Sequence, residues 1–151
     1  MYCEGNFGKV DGKTANGLIR HSQAYRIVSV IDSSHNRQDS GQILDDVINN
    51  IPIFGNLKAA VVHERKVPDT FIYGMAPSTG KLSSQDRIVI LDAIAMGMNI
   101  VSGLHEYLSE DSEIAAFASK HDVTIRDIRK PKQSKDMRLF DGSIKNVNAV
   151  R

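Results

Sequence analysis

The chain alternates between short β-type runs and apolar residues at helical spacing. Branched and aromatic residues dominate the β-type runs, as is typical of strands. These runs predict strands at 2–4, 25–31, 51–54, 70–73, 99–101 and 123–128. The strands at 2–4 and 51–54 are the weaker predictions. Pro52 weakens the third run because it cannot donate a ladder hydrogen bond. Strands that alternate with helices predict an α/β fold.

Helical patterns fill the segments between these runs. Ser83 and Asp86 have the spacing of a helix cap, followed by apolar residues on one face. The predicted apolar stripes are Ala15, Leu18 and Ile19; Leu57, Ala60 and Val61; Leu91, Ile94, Ala95 and Met98; and Ile114, Phe117, Ala118 and His121. Right-handed crossovers then predict a Rossmann-like, doubly wound, mostly parallel sheet with helices on both faces.

The end of the chain departs from this alternation. After Pro131 the sequence becomes polar, and the runs 137–140 and 143–147 flank Asp141 and Gly142. This pattern predicts a hairpin with a two-residue turn, or a linker. We therefore expect a Rossmann-like α/β domain at 1–131 and a hairpin or linker at 132–151.

Composition excludes several classes of protein. The 151 residues are 41% hydrophobic and 25% charged, which is ordinary for one globular domain. A net charge of +1 offers no overall field for nucleic acid or an anionic membrane. Cys3, the single cysteine, excludes an internal disulfide and a multi-cysteine zinc site. Because no signal sequence or membrane-spanning run is visible, we expect a cytoplasmic protein.

The most informative segment lies where the run 98–104 ends. Gly103 breaks that apolar run, and His105 and Glu106 follow immediately. In a parallel sheet this is the carboxyl edge, where ligands bind. His105 is a candidate general base, or alternatively a capping or packing residue. Adjacent residues point in different directions, so His105 and Glu106 are not expected to act as one hydrogen-bonded pair, and the five histidines show no metal-ligand spacing.

Two further loops are predicted at the same edge. Gly12, Lys13 and Thr14 resemble the end of a P-loop, but Phe7 stands where a P-loop requires glycine. The glycine-rich turn at 5–14 is instead expected to aim free backbone N–H groups and Lys13 at an anion. The loop at 74–81 carries small residues, hydroxyls and a lysine, which suit either anion binding or flexibility.

Charged residues near two strand ends leave alternatives open. Asp32 follows the run 25–31, where nucleotide-binding sheets place an acidic group against a ribose. A turn or helix cap is the favoured interpretation of Asp32, since the dinucleotide fingerprint is absent. Arg126, Arg129 and Lys130 near the last strand can grip a carboxylate or phosphate, or form a solvated basic edge.

Six motifs in order carry a family resemblance across most of the chain. They are Gly5-Asn6-Phe7-Gly8, Lys13 to Arg20, Val30-Ile31-Asp32, Gly74-Met75-Ala76-Pro77, Ser102 to Glu106, and Arg126 to Pro131. This series resembles the amino-terminal domain of the D-glutamate N-acetyltransferase-like family, domain of unknown function 1611. The resemblance implies a Rossmann-like domain followed by a larger P-loop domain, which this chain does not reach. It also implies acetyl-CoA or a nucleotide as cofactor of the full-length protein, and a small anionic substrate.

The resemblance and the loop positions together suggest a half-site. The candidate catalytic residues are His105, as base, and Glu106. The candidate substrate- or anion-binding residues are Gly5, Gly8, Lys13, Thr14, Arg20, Asp32, Pro77, Ser102 and Gly103. We expect the chain alone to be inactive without the P-loop domain. A nucleotide or small-anion binding module, and an interaction or homo-oligomerisation domain, are the alternative functions.

Overall fold

Parallel strands form the centre of the protein. The computed structural model describes residues 1–77 and 79–131. Its strands are β1 (Val30–Ile31), β2 (Ile53–Phe54), β3 (Thr70–Tyr73), β4 (Asn99–Ser102) and β5 (Ile125–Asp127). β1 pairs with β2, and β3, β4 and β5 pair in that order, all in parallel.

Tyr2 joins the two ladders into one surface. It forms parallel bridges with Ile31 and Tyr73, and its N–H donates to the carbonyl of Ile72 at 2.9 Å. The segment of Tyr2 comes first in the chain, so the lateral order is third, second, first, fourth, fifth and sixth. That is the Rossmann order, with a switch point between the first and fourth strands.

Helices follow the strands as the crossovers require. They are α1 (Lys13–His21), α2 (Ser40–Asp45), α3 (Leu57–Glu64), α4 (Ser84–Ala95) and α5 (Ser112–Lys120), with 3₁₀ turns at Val10–Gly12, Ser33–His35 and Leu108–Glu110. Side chains of Asp39, Asn56, Ser83 and Asp111 accept first-turn N–H groups of the four helices that they precede. The α/β class and the Rossmann-like fold predicted from the sequence are confirmed.

The core lies between the sheet and the helices. Its largest fully buried side chains are Tyr73, Phe7, Phe71, Ile53, Ile90, Ile94, Met98, Ile100, Leu104, Leu108, Ile114 and Val30. Burying each large apolar side chain contributes about 1.5–3 kcal/mol. Tyr2 stacks on Phe71 with ring centroids 5.7 Å apart, so the central segment is held by both ladders and side chains.

Several elements differ from their predicted extents. The predicted strand at 25–31 is a strand only at Val30–Ile31, because its partner β2 contributes two residues and Pro52 cannot donate to a longer ladder. In α4 the buried face runs through Ile90, Ala93 and Ile94, whereas Ala95, at the end of the helix, is exposed. Of the predicted stripe, Ile94 and Met98 are buried and Leu91 packs against the core, so the prediction is wrong only at Ala95.

The predicted hairpin or linker at 132–151 lies outside the described residues. Among residues 1–77 and 79–131, no helix is long and apolar enough to cross a membrane. The same residues contain no cluster of three His, Cys, Asp or Glu side chains that could hold a metal ion.

Candidate functional site

Asp32 lies at the end of β1 with its side chain turned into the protein. The residue is 0% exposed. Its carboxylate accepts the backbone N–H groups of Gly5 and Phe7, each at 3.1 Å. It also accepts the N–H of Ser34 at 2.9 Å and the hydroxyl of Ser34 at 2.6 Å, which caps the following 3₁₀ turn. Asp32 is thus a cap, and the ribose-facing alternative is wrong because no face of this carboxylate reaches the surface.

Hydrogen bonds keep the Asp32 carboxylate charged despite its burial. Burial acts to raise the pKa of Asp32, but hydrogen bonds from Ser34, from His35 and from the backbone of Ser34 and Phe7 outweigh it. The pKa of Asp32 therefore lies below its usual value. The protein's own anion occupies the position on the glycine turn that an external anion was expected to take.

Other donors of the glycine turn are also used internally. Gly8 donates its N–H to the side-chain oxygen of Asn16 at 3.0 Å. Gly12 packs so closely on the turn that an added Cβ would lie 2.1 Å from the carbonyl oxygen of Asn6. The prediction of free N–H groups at Gly5 and Gly8 is therefore wrong, because a compact turn satisfies its own donors.

Three predicted anion-binding residues line one shallow depression on the outer face of α1. Gly8, Lys13 and Arg20 share this depression, whose volume is about 480 Å³. Lys13 is exposed at the start of the helix, and Thr14 beside it is half-buried. Arg20 lies seven residues on, about 10 Å along the axis. Its Nη2 binds the carboxylate of Asp45 at 2.6 Å, so Arg20 already has an anionic partner.

The His105 loop contacts the loop at 74–81. The N–H of His105 donates to the carbonyl of Gly80 at 3.3 Å. Gly80 has a φ of +66°, and an added Cβ there would lie 2.9 Å from the His105 ring. Glu106 instead accepts the N–H of Leu82 at 3.3 Å. His105 and Glu106 therefore serve different partners, as their adjacency predicts.

Ser102 is buried beneath the His105 loop. It is 0% exposed, and its hydroxyl accepts the N–H of Leu104 at 3.2 Å. Its carbonyl accepts the N–H of Ile128 at 2.9 Å, which ties the end of β4 to the end of β5. The predicted contact between Ser102 and a substrate is not supported, since the buried hydroxyl is hydrogen-bonded within the turn that follows β4. Gly103 is half-buried, and a Cβ there would meet Ile128 at 3.4 Å.

Arg129 reaches His105 from the end of β5. Its Nη1 donates to Nε2 of His105 at 3.3 Å. The sequence left two alternatives for Arg129, binding of a carboxylate or phosphate and a solvated basic edge, and it did not predict the contact with His105. Parallel pairing of Ser102 with Asp127 was the signal that could have found this contact.

The three predicted loops form a continuous series at the carboxyl edge. The N–H of Ala76 donates to the carbonyl of Asp11 at 2.7 Å, and the N–H of Ala15 donates to the carbonyl of Gly74 at 2.9 Å. The glycine turn thus contacts the loop at 74–81, whose other end contacts His105. Pro77, in that loop, is half-buried.

A cavity of about 420 Å³ lies at the opposite edge of the sheet. It is lined by residues that precede β1 and β3, among them Tyr25, Arg26, Pro68 and Asp69, and by Met98. These residues lie at the amino ends of the strands. The cavity is therefore separate from the loops that carry the predicted chemistry.

The strand order and the loops at its switch point define a Rossmann-like α/β domain. The chain matches the family described as domain of unknown function DUF1611_N, Rossmann-like domain, over residues 33–131, and it belongs to that family. The crystal structure of a DUF1611 family protein from Anabaena variabilis is similar, with a TM-score of 0.78 and 26% sequence identity. The match covers 95% of this chain and 39% of that one.

Two relatives carry the name D-glutamate N-acetyltransferase. The protein from Pseudoalteromonas sp is 44% identical over 62 residues, and that from Tritonibacter scottomollicae is 34% identical over 62 residues. Each match covers 41% of this chain and 19% of the relative. The family resemblance seen in the six motifs is confirmed, and the matched segment spans about a fifth of those relatives' length.

Proposed function

We propose that this chain is the amino-terminal domain of a D-glutamate N-acetyltransferase-like protein and that it forms one wall of a cleft for a small anionic substrate. The observation that carries the proposal is the contact of His105 with both Gly80 and Arg129 at the carboxyl edge. The names of the two relatives support the reaction class. Parallel sheets bind their ligands at this edge.

The proposed chemistry needs a proton acceptor beside an anion-binding group. Transfer of an acetyl group to an amine requires that the amine lose a proton. His105 is the proposed acceptor, since it is exposed and its ring is held by the Gly80 loop. Glu106 fixes that loop through Leu82, and Lys13 supplies a positive charge at the start of α1.

The described residues do not fit the phosphates of acetyl-CoA or of a nucleotide at the glycine turn. Rossmann domains bind phosphate there with backbone N–H groups. Here the N–H groups of Gly5 and Phe7 bind Asp32, and that of Gly8 binds Asn16. The glycine turn therefore no longer supports the alternative of a nucleotide-binding module. We assign the acetyl donor to the P-loop domain of a longer protein.

That P-loop domain is also the partner that we propose for this edge. Val10, beside Lys13, is 81% exposed, and Ile128, beside the His105 loop, is 55% exposed. Exposed apolar side chains at two places along this edge favour contact with another domain over contact with water. The chain alone is accordingly proposed to be inactive.

A chimera tests this function. Residues 1–131 replace the equivalent domain of the Pseudoalteromonas enzyme, and acetyl transfer to D-glutamate is followed through release of the free thiol of coenzyme A. We expect turnover from the chimera and none from the isolated chain. His105→Ala in the chimera should lower kcat by about 100-fold or more, because it removes the proton acceptor.

His63→Ala is the matched control, since His63 is an exposed histidine on α3. It should leave turnover within about twofold of the parent chimera. Equal turnover in the His105→Ala and parent chimeras would remove His105 from the mechanism. A folded but inactive chimera would contradict the proposed function itself.

A further inference from the structure

We propose that Arg129 and His105 together form a binding site for one oxyanion group, a carboxylate or a phosphate. The inference deepens the proposed function, on which it rests for the identity of the substrate, by naming the substrate group that this edge binds. It assigns to Arg129 a binding role that the family resemblance did not give it. The juxtaposition of a guanidinium and an imidazole at the carboxyl edge carries the inference.

The partner of Arg129 differs from those of Arg20 and Arg87. Arg20 binds the carboxylate of Asp45, and Arg87 binds that of Asp111. Arg129 is exposed, and its only side-chain partner within the described residues is the His105 ring. A guanidinium has five N–H donors in a planar fork, and one ring nitrogen accepts only one of them. The other donors are available to a ligand oxygen beside His105.

The backbone around Arg129 is anchored on both sides. Ile128 donates its N–H to the carbonyl of Ser102 at 2.9 Å, and Lys130 donates its N–H to the carbonyl of Asp127 at 3.2 Å. His105 is held on its side by the Gly80 carbonyl. Because both groups stand on the ends of paired strands, less ordering is needed when a ligand binds.

Neighbouring charges do not compete for the guanidinium. Both carboxylate oxygens of Asp127 accept backbone N–H groups, from Leu108 at 3.0 Å and Ser109 at 2.9 Å. Lys130 pairs with Glu110 at 3.0 Å. Within the described part of the chain, Arg129 is thus the cation that contacts His105, and the carboxylates of Asp127 and Glu110 are engaged elsewhere.

An oxyanion can replace the His105 ring as the partner of Arg129. Its oxygens accept from the planar fork of Arg129, as carboxylates and phosphates do in bidentate pairs. The Nε2 lone pair of His105 is then free to accept a proton from another group of the same ligand. In the proposed reaction this would place the anionic group of the substrate next to the proton acceptor.

Ring resonances of His105 in the 151-residue chain provide the test. The five histidines are resolved by proton–carbon NMR, and His105→Gln identifies the signal of His105. Glutarate supplies a carboxylate and inorganic phosphate supplies the other oxyanion, each compared with sodium chloride at equal ionic strength. We expect a saturable shift of the His105 signal with one or both oxyanions and none with chloride.

Two variants separate a site from a basic surface. Arg129→Gln should weaken binding at least about tenfold, which corresponds to the loss of one charge-assisted contact. Arg126→Gln removes a second exposed arginine, one that lies within β5, and should change the affinity less than about twofold. Equal weakening by both variants, or the absence of saturation with either oxyanion, would overturn the inference.

The result of this binding experiment is distinguishable from the result of the chimera experiment. Arg129-dependent binding together with an inactive chimera would support the oxyanion site and contradict acetyl transfer. An active chimera whose isolated domain shows no Arg129-dependent binding would support the reaction and overturn this site. Saturation with glutarate alone identifies a carboxylate site, and saturation with phosphate alone identifies a phosphate site.

Discussion

At the scale of single residues, Asp86 joins the two central strands to α4. Its carboxylate accepts the hydroxyls of Tyr2 at 2.6 Å and Tyr73 at 2.9 Å, and all three residues are buried. Burial is the largest cause that raises the pKa of both tyrosines, and the contact with Asp86 adds to it. Both phenols therefore remain neutral donors to this carboxylate.

Removal of the Asp86 carboxylate should destabilise the protein strongly. Asp86→Ala leaves two buried hydroxyls without an acceptor, so we expect the free energy of unfolding to fall by about 2–4 kcal/mol. Tyr73→Phe removes one of the two donors and should cost about 1 kcal/mol. Urea denaturation at neutral pH measures both. Asp92→Ala, at an exposed position of α4, should stay within about 0.5 kcal/mol of the parent, and an equal loss there would refute the role of Asp86.

The orientation of single side chains was the least predictable level. The sequence shows that Asp32 follows a strand, but not that its carboxylate turns toward Gly5 and Phe7. Those N–H groups are 27 and 25 residues away in the chain, and only the folded turn brings them together. Ser102 was misjudged for a similar reason, because loop position does not reveal burial.

At the scale of elements, Arg87 of α4 connects that helix to the start of α5. Its Nη1 binds Asp111 at 2.7 Å, and its Nη2 binds Glu113 at 2.6 Å. The hydrogen bond from Arg87 is the largest cause that lowers the pKa of Asp111, from 3.8 to about 2. Since Asp111 also caps α5, this pair fixes both the helix end and the contact between helices.

This ion pair predicts a specific loss of stability in acid. The pKa of Asp111 is lower in the folded than in the unfolded protein, so its contribution is complete above about pH 4 and is lost as the pH falls through about 2. Arg87→Met should lower the free energy of unfolding by about 1–2 kcal/mol at pH 6 and by less at pH 2. Denaturant titrations at both pH values measure the difference. Arg126→Gln should show no such dependence on pH, and a constant effect of Arg87→Met would contradict this account.

Strand positions were predictable to a greater extent than strand lengths. Thr70–Tyr73 agrees with its predicted bounds, because β4 supplies four paired residues beside it. The run 25–31 has equally strong β-type residues, yet only Val30 and Ile31 pair with β2. Composition reports the preference of a segment, whereas the length of a strand depends on partners brought by distant crossovers.

At the scale of the whole molecule, topology explains what the sequence could predict about the site. Alternating strands and helices already place the loops after Tyr2, Tyr73 and Ser102 at one edge of a parallel sheet. The contacts of the glycine turn with Gly74, and of Gly80 with His105, agree with that placement. The hydrogen bonds from the glycine turn to Asp32 were not predictable, because Asp32 belongs to a different crossover.

The carboxylate of Asp32 therefore invites an experiment on the whole fold. Asp32 links the end of β1 to the glycine turn that follows Tyr2. Its loss leaves the N–H groups of Gly5 and Phe7 without their acceptor. We expect Asp32→Ala to lower the free energy of unfolding by about 2 kcal/mol or more. Inorganic phosphate should then raise the Tm of Asp32→Ala more than that of the parent, because an anion can refill the turn.

Asp39→Ala is the matched control for anion rescue. Asp39 also accepts backbone N–H groups, from Gly41 and Gln42, but these belong to the short helix α2 and not to the glycine turn. It should be destabilising and gain no more from phosphate than the parent does. If phosphate raises the Tm of both variants equally, the effect is general ion stabilisation and the turn is not an anion site. Rescue confined to Asp32→Ala would show that the turn keeps the anion-binding geometry of a Rossmann domain and fills it with the protein's own side chain.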